Sequence, residues 1–305
     1  MGLSKQFISC DWGTSSFRLR LIESESVEVV AELRSEQGIR AIHELGQDAF
    51  KSHLEEQIAT LPSPQARHIM LSGMASSTIG WRELSYAETP LRCDGSNLVR
   101  ETIPLGGREV FLISGAATKR DIMRGEETEV IGILNHPRFS TLADDCVVIL
   151  PGTHSKHIRI RERVITDWQT FMTGELFEAL TKATILKQTT DTRDMDKEAV
   201  REGVQTGFER GMESGLFGAR VRGVLDGASN ASNRGYLSGL LIGSELRRTP
   251  TGLPILLAGP EQLREVYLEA CDVIGRSNVH RGDLPGGPAI FGHAFLLKRW
   301  LSAEE

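Results

Sequence analysis

Positive charge is in deficit: 35 Lys and Arg stand against 41 Asp and Glu, a net charge of -6 at neutral pH. That balance gives no basic surface for a nucleic-acid backbone or an anionic membrane, so neither partner is expected. Cysteine is scarce. Cys10, Cys93, Cys146 and Cys271 are scattered without Cys-x-x-Cys or metal-ligand spacing, which excludes a zinc module and fits reduced, buried thiols. No apolar run reaches the roughly 20 residues that cross a bilayer. The opening residues lead into a strand pattern without the apolar centre of a signal peptide, so a soluble cytoplasmic protein is expected. Low-complexity tracts and flexible linkers are missing as well. What remains, 40% hydrophobic and 25% charged, is the composition of an ordinary globular protein.

A length of 305 residues exceeds what one core serves efficiently, so two domains are expected. An internal repeat agrees. Gly13-Thr14-x-Ser16-x-x-Leu19-Arg20-Leu21 recurs as Gly152-Thr153-x-Ser155-x-x-Ile158-Arg159-Ile160. Each copy follows a buried-strand pattern (7–11 and 146–151) and leads into an alternating strand, which describes a β-hairpin with a hydroxyl-rich tip. Backbone N–H groups, Gly and Thr or Ser hydroxyls in such a tip suit anionic oxygens. Either copy alone also reads as an ordinary turn; the repetition favours two tips holding one polyphosphate.

Periodicity predicts strands near 6–11, 16–23 and 26–33, a helix at 44–60, a strand at 68–72, an irregular stretch over 81–107 and a strand at 109–113. A helix is predicted from about 125 to 135. A second meander (146–151, 156–161, 163–170) leads to helices near 174–186, 196–213 and 232–247, a strand–turn–helix around 254–261 and a closing helix from 288. The expected domains are 1–118 and 119–287, with 288–305 packing back toward the first.

Several constellations carry chemistry. Asp11, at the end of the first strand, suits Mg²⁺, or alternatively caps the turn. Arg18, His154 and Lys156 flank the two tips, where they would meet phosphoryl oxygens or remain solvated. Arg124-Gly125-Glu126-Glu127 sets two acids at a helix start, as dipole partners or, for Glu126, as a base toward an alcohol. Gly73, Met74, Ser76, Ser77 and Trp81 form a small, hydroxylated segment fit to line a polyhydroxylated ligand, or an N-capped helix start. Glu175, after Thr173-Gly174, either follows a cap or reaches a ligand. Ala258-Gly259 reads as a strand–glycine–helix turn.

Asp11-Trp12-Gly13-Thr14-Ser15, Pro151-Gly152-Thr153-His154-Ser155-Lys156 and Leu257-Ala258-Gly259 resemble, in order, the phosphate-1, phosphate-2 and adenosine motifs of the actin-like ATPase superfamily, which includes actin, hexokinase and heat-shock chaperones. More narrowly, the chain resembles the 2-dehydro-3-deoxygalactonokinase family through Met123–Thr128, the second hairpin, Met172-Thr173-Gly174-Glu175-Leu176 and Ser238-Gly239-Leu240-Leu241-Ile242-Gly243-Ser244-Glu245.

The resemblance implies an α/β protein of two ribonuclease-H-like domains with an interdomain cleft. It also implies transfer of the γ-phosphoryl group of MgATP to the 6-hydroxyl of 2-dehydro-3-deoxy-D-galactonate. Gly13, Thr14, Ser15, Arg18, Gly152, Thr153, His154, Ser155, Lys156, Ala258 and Gly259 would then hold ATP, with Asp11 on Mg²⁺. Gly73, Met74, Ser76, Ser77, Trp81, Arg124 and Glu175 would line the sugar acid, and Arg82, Arg92, Arg124 or Lys156 would meet its carboxylate. Related sugar kinases carry Gly-Asp where this chain has Gly125-Glu126, leaving Glu127 as the substitute base, and Pro260 interrupts the glycines of the adenosine motif. Rival readings are a same-fold kinase for another sugar or aldonate and an actin- or chaperone-like nucleotide-binding protein. A homodimer is compatible with all of them.

Overall fold

Phe7, Ile8, Cys10 and Trp12 are buried on both faces of the opening strand, which therefore lies inside a sheet. The computed structural model describes residues 4–62 and 66–303. Contacts gather the chain into two units: Met1–Asp144, Ile160–Asp167 and Asp283–Glu305 form the first, Asp145–Arg159 and Trp168–Gly282 the second.

The first unit runs β1 (Gln6–Trp12), β2 (Phe17–Glu23), β3 (Val29–Ser35), α1 (Ile39–His43), α2 (Gln47–Ala59), β4 (His68–Gly73), β5 (Ala87–Glu88), β6 (Leu91–Arg92), β7 (Arg100–Leu105), β8 (Arg108–Ile113), β9 (Ala116–Ala117), β10 (Ile122–Met123) and α3 (Glu126–Asn135). Its main sheet has the order β3-β2-β1-β4-β8-β7, and β10-β9-β5 forms a smaller one. β1 and β4 are parallel, with Asp11 opposite Ser72 and Trp12 opposite Gly73. The first Gly-Thr tip and Gly73 thus share the carboxyl end of the sheet, where α/β proteins place ligands.

The second unit contains β11 (Asp145–Leu150), β12 (Ser155–Arg161), β13 (Val164–Phe171), α4 (Thr173–Ala183), α5 (Lys187–Thr190), α6 (Lys197–Arg210), α7 (Met212–Leu225), α8 (Asn230–Leu246), β14 (Ile255–Leu257), α9 (Glu261–Val273) and β15 (Val279–Arg281). The strand order is β15-β14-β11-β12-β13. Ile160 and Arg161 at the end of β12 and the opening residues of β13 belong to the first unit, where Val164 and Ile165 pair with β6. Parallel pairing sets Ile149 opposite Leu257, so the second Gly-Thr tip and Ala258-Gly259 also emerge at one carboxyl end.

The contacts divide the chain differently from the expected boundary at 118. The last helix, α10 (Pro288–Ala303), packs on α3: a Cβ at Gly132 would meet the Pro288 carbonyl oxygen at 2.2 Å, and one at Gly292 would meet that of Thr128 at 2.1 Å. Residues 119–144 are drawn into the first unit by this backbone-to-backbone contact. β7 lies within the stretch expected to be irregular, and Pro104 fits there because β7 is an edge strand. α7 was not expected. Gly215, Gly218 and Gly223 weaken its local propensity, yet Gly215 and Gly218 make room for Tyr236 and Leu240 of α8, and that packing prevails.

Candidate functional site

In the first unit, β1 delivers Asp11 beside its register partner Arg18, with Arg18 Nη1 3.6 Å from Asp11 Oδ2. Burial raises the Asp11 carboxyl above its usual range, Arg18 and Arg20 pull it back, and Glu126 adds to the rise. The Gly13 N–H donates to the Ser16 carbonyl at 2.8 Å, closing the hairpin. The tip is tied down from α1, since Ile39 and Arg40 N–H groups donate to the Gly13 and Thr14 carbonyls at 2.9 and 3.1 Å. Ser15 is exposed on it.

Gly125 has φ +115° and lies against Gly73, whose Cα would sit 3.5 Å from a Cβ at position 125. A side chain there would have ordinary contacts but a strained backbone, so glycine lets α3 begin beside the end of β4. Glu126, half-buried, accepts from the Arg124 N–H at 2.9 Å. Glu127 turns inward. It is fully buried, accepting from the Gly125 N–H at 2.7 Å and from the Thr128 hydroxyl at 3.1 Å, and burial followed by Glu126 pushes its carboxyl up to about 7. Both acids close on the helix start through a backbone N–H, and burial is what separates them: Glu127 is shut away, whereas Glu126 keeps part of its surface open to a ligand.

Arg124 Nη1 donates to the Ser76 carbonyl and hydroxyl oxygens, each at 2.6 Å. Its guanidinium carbon lies 4.2 Å from the Tyr86 ring centroid, and its buried Nε has no hydrogen-bond partner. Arg82 and Arg92 are exposed, Arg92 beside Asp94. Trp81 corrects another expectation: it is 5% exposed and belongs to the core with Trp12, Phe17 and Phe50, so its indole is no ligand wall. Met74 packs partly on that core, and the Ser77 hydroxyl donates to the Met74 carbonyl, closing the turn after Gly73.

Sequence reasoning missed two residues. Glu129 lies one turn beyond Glu126 on the same helix face, and burial, then Asp11 and Glu126, push it to about 8. The i, i+3 spacing of the two acids was the available signal. Tyr86 left none, since its ring is brought under Arg124 by Gly115, whose Cβ would meet it at 2.9 Å.

In the second unit, Thr153 and His154 are exposed on the tip. His154 Nε2 meets Glu175 Oε2 at 2.6 Å, and the Glu175 N–H donates to the Thr153 carbonyl at 3.1 Å. Lys156 is buried, with Nζ 3.2 Å from the His154 carbonyl. Ser155 departs from expectation: fully buried, its hydroxyl points away from the tip and donates to Glu245 at 2.6 Å. Ala258 is buried and bonded to Ile149 across the strands; Gly259, at φ +121°, comes close to Pro151. A small pocket of about 90 Å³ opens beside Gly152, lined by Gly174, Phe177, Leu241, Leu263 and Tyr267.

Residues 11–283 match the 2-keto-3-deoxy-galactonokinase family. The chain belongs to this family. It is 34% identical over 282 residues to a Rhizobium meliloti protein named "Probable 2-dehydro-3-deoxygalactonokinase", covering 88% of this chain and 90% of that one. The Escherichia coli K12 2-dehydro-3-deoxygalactonokinase is 26% identical over 249 residues, covering 80% of each. A Sinorhizobium meliloti crystal structure bearing the same name superposes with a TM-score of 0.83 at 30% identity, covering 96% of both chains. The fold extends further: component A of the Acidaminococcus fermentans (R)-2-hydroxyglutaryl-CoA dehydratase gives a TM-score of 0.51 at 11% identity, over 98% of this chain and 100% of that one. The family is thus one of sugar-acid kinases on the actin-like ATPase fold.

Proposed function

We propose that the protein transfers the γ-phosphoryl group of ATP to the 6-hydroxyl of 2-dehydro-3-deoxy-D-galactonate, in the cytoplasm, as a step of galactonate breakdown. The observation that carries this reading is the entry of Gly125-Glu126 beside Gly73 and within the field of Asp11, with the Arg124 guanidinium held on Ser76, three residues after Gly73. An acid and a cation so placed match the two demands of a sugar acid: a hydroxyl to deprotonate and a carboxylate to hold.

Glu126 accepts the hydroxyl proton as the O6–phosphorus bond forms and the bond from phosphorus to the ADP oxygen breaks. Arg124, braced by Ser76 and Tyr86, orients the substrate carboxylate. Backbone N–H groups and hydroxyls of Gly13, Thr14 and Ser15, with Arg18, hold phosphate oxygens. Gly152, Thr153, His154 and Lys156 do so from the second hairpin, with Ala258 and Gly259 toward the nucleoside.

Among the described residues no group of three His, Cys, Asp or Glu is arranged to hold a metal ion. Mg²⁺ usually takes only one or two protein carboxylates and fills its shell with phosphate oxygens and water. Asp11, with its side chain 25% exposed at the strand end, fits that requirement; it would hold the Mg²⁺ whose charge offsets that of the phosphates.

The test is ADP release with MgATP and, in turn, 2-dehydro-3-deoxygalactonate, its gluconate epimer, galactonate, glycerol or no acceptor. Strong acceleration by the first compound alone is expected. A slow rate indifferent to every acceptor would overturn the proposal.

A further inference from the structure

Four hydrogen-bond donors inside the second unit converge on one carboxylate. Glu245, near the end of α8, is 2% exposed. Its oxygens accept from the Ser155 hydroxyl at 2.6 Å, His157 Nε2 at 2.6 Å, the Tyr267 hydroxyl at 2.8 Å and the Thr173 hydroxyl. An ionised carboxylate only accepts, so His157 carries its proton on Nε2 toward Glu245, while its Nδ1 faces the Thr249 hydroxyl at 3.0 Å. Burial alone would raise the Glu245 carboxyl; the bonds from His157, Ser155 and Thr173 outweigh it and hold the group below its usual range.

The donors come from the elements that frame the second hairpin tip. Ser155 and His157 lie on β12 directly after it. Thr173 opens α4, whose Gly174 packs so tightly that a Cβ would meet the Gly152 carbonyl at 2.7 Å. Tyr267, on α9, lines the pocket beside Gly152. A buried ion held this completely costs much desolvation and is poor evidence of stability for its own sake; what it does achieve is a fixed geometry for every group that points at it.

We propose that Glu245 is a positioning residue for the nucleotide: without touching it, the carboxylate locks the Gly152–His154 tip against α4 and α9 in the shape that receives phosphate. This rests on the kinase reading above.

The experiment compares wild type with Glu245→Gln, which keeps the volume but replaces one acceptor by a donor, and with Tyr267→Phe, which removes a single donor. Thermal melts establish folding. The KM for MgATP and the ADP dissociation constant from calorimetry should rise about tenfold in Glu245→Gln, and less in Tyr267→Phe, with the KM for the sugar acid unchanged. Unchanged ADP affinity in a folded Glu245→Gln protein would overturn the proposal, and so would a parallel rise in both KM values. If Glu245→Gln does not fold, Tyr267→Phe decides by the same split. A wild-type protein that binds ADP yet phosphorylates no sugar acid would sink the kinase reading alone, because the ADP comparison stands without turnover.

Discussion

Arg124 reaches both oxygens of Ser76 with a single nitrogen, 2.6 Å to each, while the Tyr86 ring covers its guanidinium at 4.2 Å. A cation fixed this way has little rotamer freedom left to lose when a carboxylate arrives. Lysine would keep the charge but lose the planar stacking and the fork. In Arg124→Lys the KM for the sugar acid should therefore rise about 10- to 100-fold, the range of a lost charge-assisted hydrogen bond, with the KM for ATP unmoved. Steady-state kinetics with each substrate varied would check this, and an unchanged sugar-acid KM would remove Arg124 from the carboxylate site.

The neighbouring acids should separate sharply. A positioned base contributes about 10²–10⁴-fold, so Glu126→Gln should lower kcat on that scale while calorimetry finds ADP binding intact. Glu127→Gln, which can still accept from the Gly125 N–H, should retain most of its turnover. Equal losses in the two variants would show that the helix start acts as a unit and that no single base can be named.

The local frame of the candidate site was legible in the sequence. The duplicated Gly-Thr-x-Ser phrase marks two hairpins because a strand, a tight turn and an alternating strand are all local features. Local pattern also places Gly125-Glu126 at a helix start. It does not reveal which way a side chain turns: Ser155 and Ser16 occupy equivalent places in the repeat, yet Ser155 is recruited inward by Glu245, some 90 positions away. Trp81 misled for the same reason, since an indole suits a sugar or a core equally and only the packing of Trp12, Phe17 and Phe50 decides. Tyr86 and Tyr267 meet Arg124 and Glu245 only through the fold and have no local signature.

Stability should fall as pH rises from about 6.5 to 8. Glu127 and Glu129 have folded-state values raised from 4.5 to about 7 and about 8. Their contributions are complete below the unfolded value and vanish as pH climbs through the folded one. His293, buried against Ser9 and lowered from 6.5 to about 3, works in the opposite sense, its contribution being present above 6.5 and lost on acidification. Between about 4.5 and 6.5 the effects oppose each other, and above that window only the glutamates act. Melting temperatures over pH 5–9 should show the decline, and Glu127→Gln should flatten it by an amount on the order of a few kcal/mol at alkaline pH. An identical decline in the variant would deny the raised Glu127 value.

Gly292 on α10 ties that helix to the position of the proposed base. A Cβ there would come within 2.1 Å of the Thr128 carbonyl, two residues after Glu126, and backbone cannot swing aside as a flexible side chain would. Alanine must therefore push α10 and α3 apart, at a cost of about 1–3 kcal/mol for an overpacked contact. The same displacement shifts Glu126, and sub-ångström errors at a reacting group are expensive. Gly292→Ala should thus lower both the melting temperature and kcat, with less effect on ADP affinity, because neither hairpin tip lies on α3 or α10. Ser302→Ala, on the exposed end of α10, should change neither. Loss of stability with full turnover in folded Gly292→Ala would show that α3 can shift without moving the base, and would uncouple the α3–α10 contact from catalysis.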